Sequence, residues 1–356
     1  MLDGTPLTWT LPNAVAGTMV LSLNAYVLLG GADFGGGVWD LLARGRRADD
    51  QRALIAKAIA PIWEANHVWL ILVVVLLFTC FPKAFAHLAT ELHVPITAML
   101  VGIVLRGSAF TFRTYDSRQD HVQRRWGRIF SIASLLTPIV LGVCLGAVAG
   151  GRLPMRPTAA LATVSFQARF VDPWMASPFA WAVGLMTLML FAFLAASYLT
   201  VEAPDDALRA VFRRRALQSQ GALLVVAALT LAFARADNPL LFEGLTRGRT
   251  AVFMHAVTVL AVIVSSWSLL TSRFHIARVA AAAQATFLLW GWAWTQFPWL
   301  IPPDHTIEEL AAPRITLTLI LGALAIGTMI LLPSFVYLFR VFKAGETAFG
   351  DEGQVG

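Results

Sequence analysis

Charge is what this chain has least of. Asp, Glu, Lys and Arg together make up 13% of its 356 residues, about half the share usual in a soluble domain. Hydrophobic residues make up 58%, and the mean hydropathy is +0.69. That balance excludes a soluble globular protein and defines an integral membrane protein. Cysteine is as scarce: Cys80 and Cys144 are the only two, each in or beside an apolar run. A disulfide framework is excluded, and no metal-ligand spacing is present. The opening MLDGTPLTWT holds an acid and no base, so the first span is expected to be retained, not cleaved. No Gly-rich phosphate loop and no solenoid repeat occur. The longest connection, 150–177, carries Pro154, Pro157 and Pro173. It is too short for a sizeable soluble domain and is expected along the outer surface.

What is present is a series of apolar runs long enough to cross a bilayer, which takes about 20 residues. They predict spans at 14–42, 54–81, 85–110, 129–149, 178–201, 219–234, 251–270, 279–300 and 315–341, nine helices in one membrane domain covering 1–356. The net charge of +6 does not point to nucleic acid, because the cations fall in short clusters between spans. Eighteen lie on one side, in the connections after spans one, three, five, seven and nine. Eight lie on the other, and Arg106 lies at the end of span three. By the positive-inside rule the N-terminus is outside and the C-terminus cytoplasmic.

Against this scarcity of charge, the acids inside spans are informative, since each ionisable group at membrane depth costs roughly 2.5–3.5 kcal/mol on insertion scales. Span one reads YVLLGGADFGGGVWDLL from Tyr26, with Asp33 among glycines. Gly30, Asp33 and Gly37 share a helix face, and Gly31 and Gly35 form a G-x-x-x-G pair, a pattern that lets helices approach closely. Span two contains PIWEANHVWL from Pro61, which puts Glu64 and His67 on one face. At about 1.5 Å per residue, Asp33 and Glu64 both lie roughly 13–15 Å from the inner helix ends, and Arg106 lies a few residues from the inner end of span three. A polar cluster of Asp33, Glu64 and Arg106 in the cytoplasmic half is expected, with His67 beside it. Two readings stand open: a proton-carrying carboxylate whose pKa rises on burial, or an Asp locked by packing against Arg106.

Metal and haem have less support. E-x-x-H is the spacing of a di-iron half-site, but that site needs a second copy and two further Glu, and no second copy exists. His67 and His255 are the histidines clearly within spans, at opposite depths, so no bis-His pair is expected. Trp290, Trp292, Trp294 and Trp299 crowd the outer half of span eight, as an aromatic belt does. T-x-F-P occurs twice, at 79–82 and 295–298, ending spans two and eight.

With these residues in view, the sequence resembles subunit II of the cytochrome bd-type quinol oxidases. YVLLGGADFGGGVWDLL is similar to that family's first helix, with Asp33 at its glycine-flanked acid. AIAPIWEANHVWL is similar to its second, matched by Pro61, Trp63, Glu64, Asn66, Val68, Trp69 and Leu70. LRGSAFTFR matches the end of helix three through Arg106, Phe110 and Arg113, and FPWLIP at 297–302 and the last span also fit. Glu64 stands where better-known members have Asp, Ala65 replaces a usual Gly, and an additional acid before the Asp33 position is absent.

The resemblance implies an all-α membrane fold of nine helices, with four-helix bundles at 14–149 and 178–300 and a peripheral ninth helix at 315–341. It implies a haem-free subunit of a quinol:oxygen oxidoreductase in the bacterial inner membrane. Haem b and haem d would lie in the partner, a haem-bearing subunit I. Small accessory subunits, membrane lipid and quinol would be further partners, and a bound quinone is a candidate ligand. Asp33, Glu64, His67 and Arg106 would form part of a cytoplasmic proton-uptake route without redox catalysis. The reading from a different class is a stand-alone proton-coupled transporter, for which inverted repeats are the expected mark; none is evident.

Overall fold

Almost every long apolar run becomes a helix, because in hydrocarbon the backbone must satisfy its own hydrogen bonds. The computed structural model describes residues 10–59, 63–115, 120–155 and 163–350. The first helix, α1 (Leu11–Leu41), starts at Thr10, whose hydroxyl accepts from the Asn13 amide, with Pro12 in the first turn. Its 31 residues span about 46 Å, more than a hydrocarbon core of about 30 Å needs. There follow α2 (Ala48–Ile59), α3 (Trp63–Cys80), α4 (Pro82–Glu91), α5 (His93–Tyr115) and α6 (Asp120–Ala149). Two short helices, α7 (Phe166–Phe170) and α8 (Asp172–Met175), lie in the long connection. Then come α9 (Pro178–Glu202), α10 (Asp206–Asp237), α11 (Pro239–Arg247), α12 (Arg249–Leu270) and α13 (Phe274–Gln296). A hairpin of β1 (Trp299–Ile301) and β2 (His305–Thr306), a turn of helix α14 (Ile307–Leu310) and α15 (Arg314–Gly350) complete the described chain.

Among the described residues, seven helices are long and apolar enough to cross a bilayer: α1, α5, α6, α9, α10, α12 and α15. The pair α3 and α4 is an eighth candidate, bent by 118°. The 23-residue α13 has spanning length, but His275, Arg278, its two glutamines and its tryptophans lower its hydropathy.

The structure moves several expected boundaries. Of the second span, expected at 54–81, residues 54–59 lie in α2, which carries Asp49 and Asp50 in its first turn, and residues 63–80 form α3; residues 60–62 lie outside those described. The third, expected from 85, begins at His93, because Pro82 starts a new helix after Phe81 and turns α4 away. The sixth, expected as the short 219–234, is the 32-residue α10. Arg209, Arg213, Arg214 and Arg215, expected in a loop, lie on its first three turns, and Asp205 caps it by accepting from the Leu208 amide. The eighth ends at Gln296, not 300, and the FPWLIP segment enters the hairpin.

The core is centred on α1 and α9. Helix α1 packs against α3, α6, α9 and α13; α9 packs against α1, α6, α10 and α13. Small residues make this possible. A Cβ on Gly35 would lie 2.0 Å from the Phe191 carbonyl oxygen of α9, and one on Gly142 of α6 would lie 2.7 Å from the Cα of Gly184. Buried Phe34, Phe191, Phe193 and Leu194 fill the centre. The apolar stretch of α9 is 72% buried and that of α15 only 6%, so α15 stands at the edge. At the end where α1 begins, Val15, Cys80, Phe81, Ile301 and Leu310 form a second cluster, closed by the Ala312 amide donating to the Cys80 carbonyl at 2.7 Å. Both T-x-F-P segments border it.

Candidate functional site

Asp33 lies two turns before the C-terminal end of α1, in the segment where the glycines admit neighbours from four other helices. A Cβ on Gly30 would press on the Asn66 side chain of α3 at 3.1 Å. One on Gly31 would meet Leu194 of α9, one on Gly36 Ile59 of α2, and one on Gly37 Ser134 of α6 at 2.2 Å. The glycine cluster therefore brings four helices against the acid.

Into this space α5 delivers Arg106. Both charged side chains are buried, Asp33 at 0% and Arg106 at 1% exposure. The guanidinium is bidentate: Nη1 donates to Asp33 Oδ2 at 2.8 Å and Nη2 to Asp33 Oδ1. Nη2 also donates to the Asp33 carbonyl at 3.2 Å, and Nε to Ser134 Oγ at 2.9 Å. Ser134 Oγ in turn donates to the Phe130 carbonyl at 2.7 Å. Asn66 Nδ2 donates to Asp33 Oδ2 at 2.9 Å. The guanidinium carbon lies 4.6 Å from the Phe34 ring centroid and 4.9 Å from that of Phe130. Charge-assisted, forked pairing of this kind offsets the cost of burying both ions, and the aromatic faces add attraction for the cation.

Polar groups continue to either side. Toward the C-terminal end of α1, Ser131 donates to Asp40 Oδ2 at 2.9 Å, one helical turn along α6 from Ser134. In the other direction lie Tyr26 and Thr137, both buried, whose hydroxyls, like Asn66 Oδ1, have no partner among the described residues. His67 is half-buried on α3 and feels both the Asp33 and Arg106 charges.

Of the four residues expected to form the site, the structure joins Asp33 to Arg106 and puts His67 within their field. Glu64 lies in the first turn of α3, two residues from Asn66; its side chain is outside the described residues. Ser134, Phe34, Phe130 and Asp40 escaped sequence reasoning. Nothing marks Ser134 in its apolar run except that Gly37 must face something small.

Among the described residues no three His, Cys, Asp or Glu side chains group as metal ligands, and His255 Nδ1 contacts its own helix at the Ala251 carbonyl, 2.7 Å away.

On the cation-rich face, Arg47 clamps Asp205 through Nη1 and Nη2 at 2.8 and 2.7 Å. This ties the α1–α2 turn to the α9–α10 turn. The guanidinium and the Leu208 amide hold the Asp205 carboxyl well below the usual carboxylate range. Arg215 joins the same region by donating to Gln51 Oε1 at 2.8 Å.

Fold and site thus define a polytopic membrane protein with a buried, fully paired Asp–Arg centre, and no catalytic metal site among the described residues. The family model for cytochrome bd terminal oxidase subunit II matches residues 11–342. The chain belongs to that family and is a membrane subunit of an oxidoreductase complex of the respiratory chain. It is 24% identical over 333 residues to a putative cytochrome bd menaquinol oxidase subunit II of Bacillus subtilis, covering 92% of this chain and 94% of that one. It is 29% identical over 100 residues to the cytochrome bd-I ubiquinol oxidase subunit 2 of Escherichia coli K12, 28% of this chain and 26% of that one. The bd oxidase structure from Geobacillus thermodenitrificans shares the fold, with a TM-score of 0.74 at 23% identity over 93% of this chain and 98% of that chain. Subunit II implies a partner subunit I, and the family implies haems in the complex. Family membership also displaces the stand-alone transporter.

Proposed function

We propose that this chain is the haem-free subunit II of a bacterial quinol:oxygen oxidoreductase. Its haem b and haem d belong to subunit I, and this chain contributes part of a proton-uptake route from the cytoplasm. The N-terminus is outside and the C-terminus cytoplasmic. The nine helices are arranged as bundles at 14–149 and 178–300 with a ninth, peripheral helix; the low burial of α15 supports that last point. Small accessory subunits and a bound quinone are compatible with it.

The observation that carries the route is the Asp33–Arg106 centre. A carboxylate that accepts from both guanidinium nitrogens and from Asn66 has its oxygens committed to fixed partners. Asp33 is therefore a fixed counter-ion and Arg106 its fixed cation. The acid that exchanges protons is Glu64, at the helix-two acid position of the family motif, with His67 beside it. Ser131, Ser134, Thr137 and Tyr26 supply hydroxyls along the path, which buried water would bridge.

Turnover of the complex coexpressed with its haem-bearing subunit tests this. Glu64→Gln removes the titratable group with little change of shape, and quinol-driven oxygen consumption is expected to fall at least tenfold at unchanged haem content. Full turnover in Glu64→Gln would end the proton-route reading. Haem absorbance from the isolated chain would end the haem-free one.

A further inference from the structure

Away from the buried centre, at the cation-rich end of the second half, two cavities adjoin. One, of about 340 Å³, lies between the α9–α10 and α12–α13 turns and is lined by Thr200, Arg209, Ser272, Arg273 and His275. The other, of about 530 Å³, is an apolar groove between α12 and α13 lined by residues such as Leu260, Val264, Val279, Ala283 and Phe287. They share His275 and Ile276, so a polar chamber opens directly into an apolar channel.

The polar chamber is electropositive for structural reasons. The nearby acids are already neutralised: Glu202 pairs with Arg278 at 3.3 Å and Asp206 with Arg209 at 2.6 Å. Among the described residues Arg213 and Arg273 form no ion pair. Arg213 donates instead to Ser272 Oγ at 3.3 Å. Ser272 takes the left-handed conformation, φ 59°, and the Arg273 amide donates back to the Ser268 carbonyl at 2.8 Å. This closes the end of α12 in a Schellman-type turn and fixes Arg273 at the start of α13. No side chain caps α13, so its first amides and the positive end of its dipole face the same chamber.

The groove runs up α13 from His275 to Phe287, about 18 Å at the helical rise, slightly more than one leaflet of a hydrocarbon core of about 30 Å. A ligand that satisfies both parts needs an anionic group at the membrane surface and an apolar chain one leaflet long.

We propose that this is a binding site for an anionic phospholipid, with the phosphate-bearing headgroup against Arg273, Arg213 and the α13 amides and an acyl chain along Leu260, Val264 and Val279. Basic pockets between spanning helices bind such headgroups. The site is independent of the proton route.

The test uses the complex with its partner subunit, in nanodiscs of phosphatidylglycerol and phosphatidylcholine in equal parts, with retained lipid counted by native mass spectrometry after transfer to detergent. Phosphatidylglycerol is expected to be retained over phosphatidylcholine. Arg213→Gln and Arg273→Gln are each expected to weaken retention about fivefold, the worth of one basic residue near a charged lipid, and Arg273→Lys to keep most of it. Filling the groove with Leu260→Trp and Val279→Trp is expected to weaken retention as well. Equal retention of the two lipids in the wild type overturns the proposal whether or not any variant assembles. So do unchanged retention in both Gln variants and unchanged retention with the groove filled. Displacement by inorganic phosphate alone would mark a free-anion site instead. Retention of neither lipid would mark a face covered by the partner subunit.

Discussion

Asp33 and Arg106 are costly singly and affordable together. Removing one partner of a buried pair leaves an uncompensated charge, at about 3–5 kcal/mol. Asp33→Ala and Arg106→Ala are each expected to abolish or sharply reduce the assembled complex, measured as purified yield and thermal midpoint. The double variant Asp33→Leu with Arg106→Met should recover a large part of that loss, because both charges go together. Were the double variant no better than either single one, the pair would not be the reason for the residues. Much of this site was legible in the sequence, because an acid and an arginine in apolar runs have few alternatives to each other. Ser134 and the Phe34 and Phe130 rings were not, since serine and phenylalanine are ordinary inside spans and acquire a role only from what faces them.

At the level of elements, the glycines set how closely helices approach. Gly35→Ala would put a methyl 2.0 Å from the Phe191 carbonyl oxygen, whereas a Cβ on Gly17 meets nothing within 4 Å. Overpacking of a tight interface costs about 1–3 kcal/mol or more. Gly35→Ala is therefore expected to lower the thermal midpoint of the complex, and Gly17→Ala to leave it unchanged. The turns on the cation-rich face add a pH dependence. Asp205 is held below its ordinary pKa by Arg47, so its contribution is fully present above the ordinary carboxylate range and lost as pH falls through its lowered value. The difference in thermal midpoint between wild type and Asp205→Asn should be constant from neutral pH down to about pH 4 and shrink below it. Hydropathy located the long helices well, but not the break at Phe81. A run of apolar residues reads the same whether it crosses the bilayer straight or turns, and Pro82 marks the end of α3 without saying that the chain swings by 118°. The tether between the α1–α2 and α9–α10 turns joins residues 158 apart in sequence and has no local signature.

On the scale of the whole molecule, the chain builds a densely packed centre around α1 and α9 and leaves broad apolar faces on α3, α5, α12 and α15. These suit lipid and a partner subunit. The contribution we assign to this chain is electrostatic and protonic: a fixed ion pair and an exchangeable acid on the neighbouring helix α3. Infrared difference spectroscopy of the reconstituted oxidase, recorded between reduced and oxidised states, measures that assignment directly through the carboxylic-acid carbonyl band. The band is expected in the wild type, to persist in Asp33→Asn wherever that variant assembles, and to vanish in Glu64→Gln. Loss of the band in Asp33→Asn together with its survival in Glu64→Gln would contradict the account, making Asp33 the proton carrier and Glu64 a bystander.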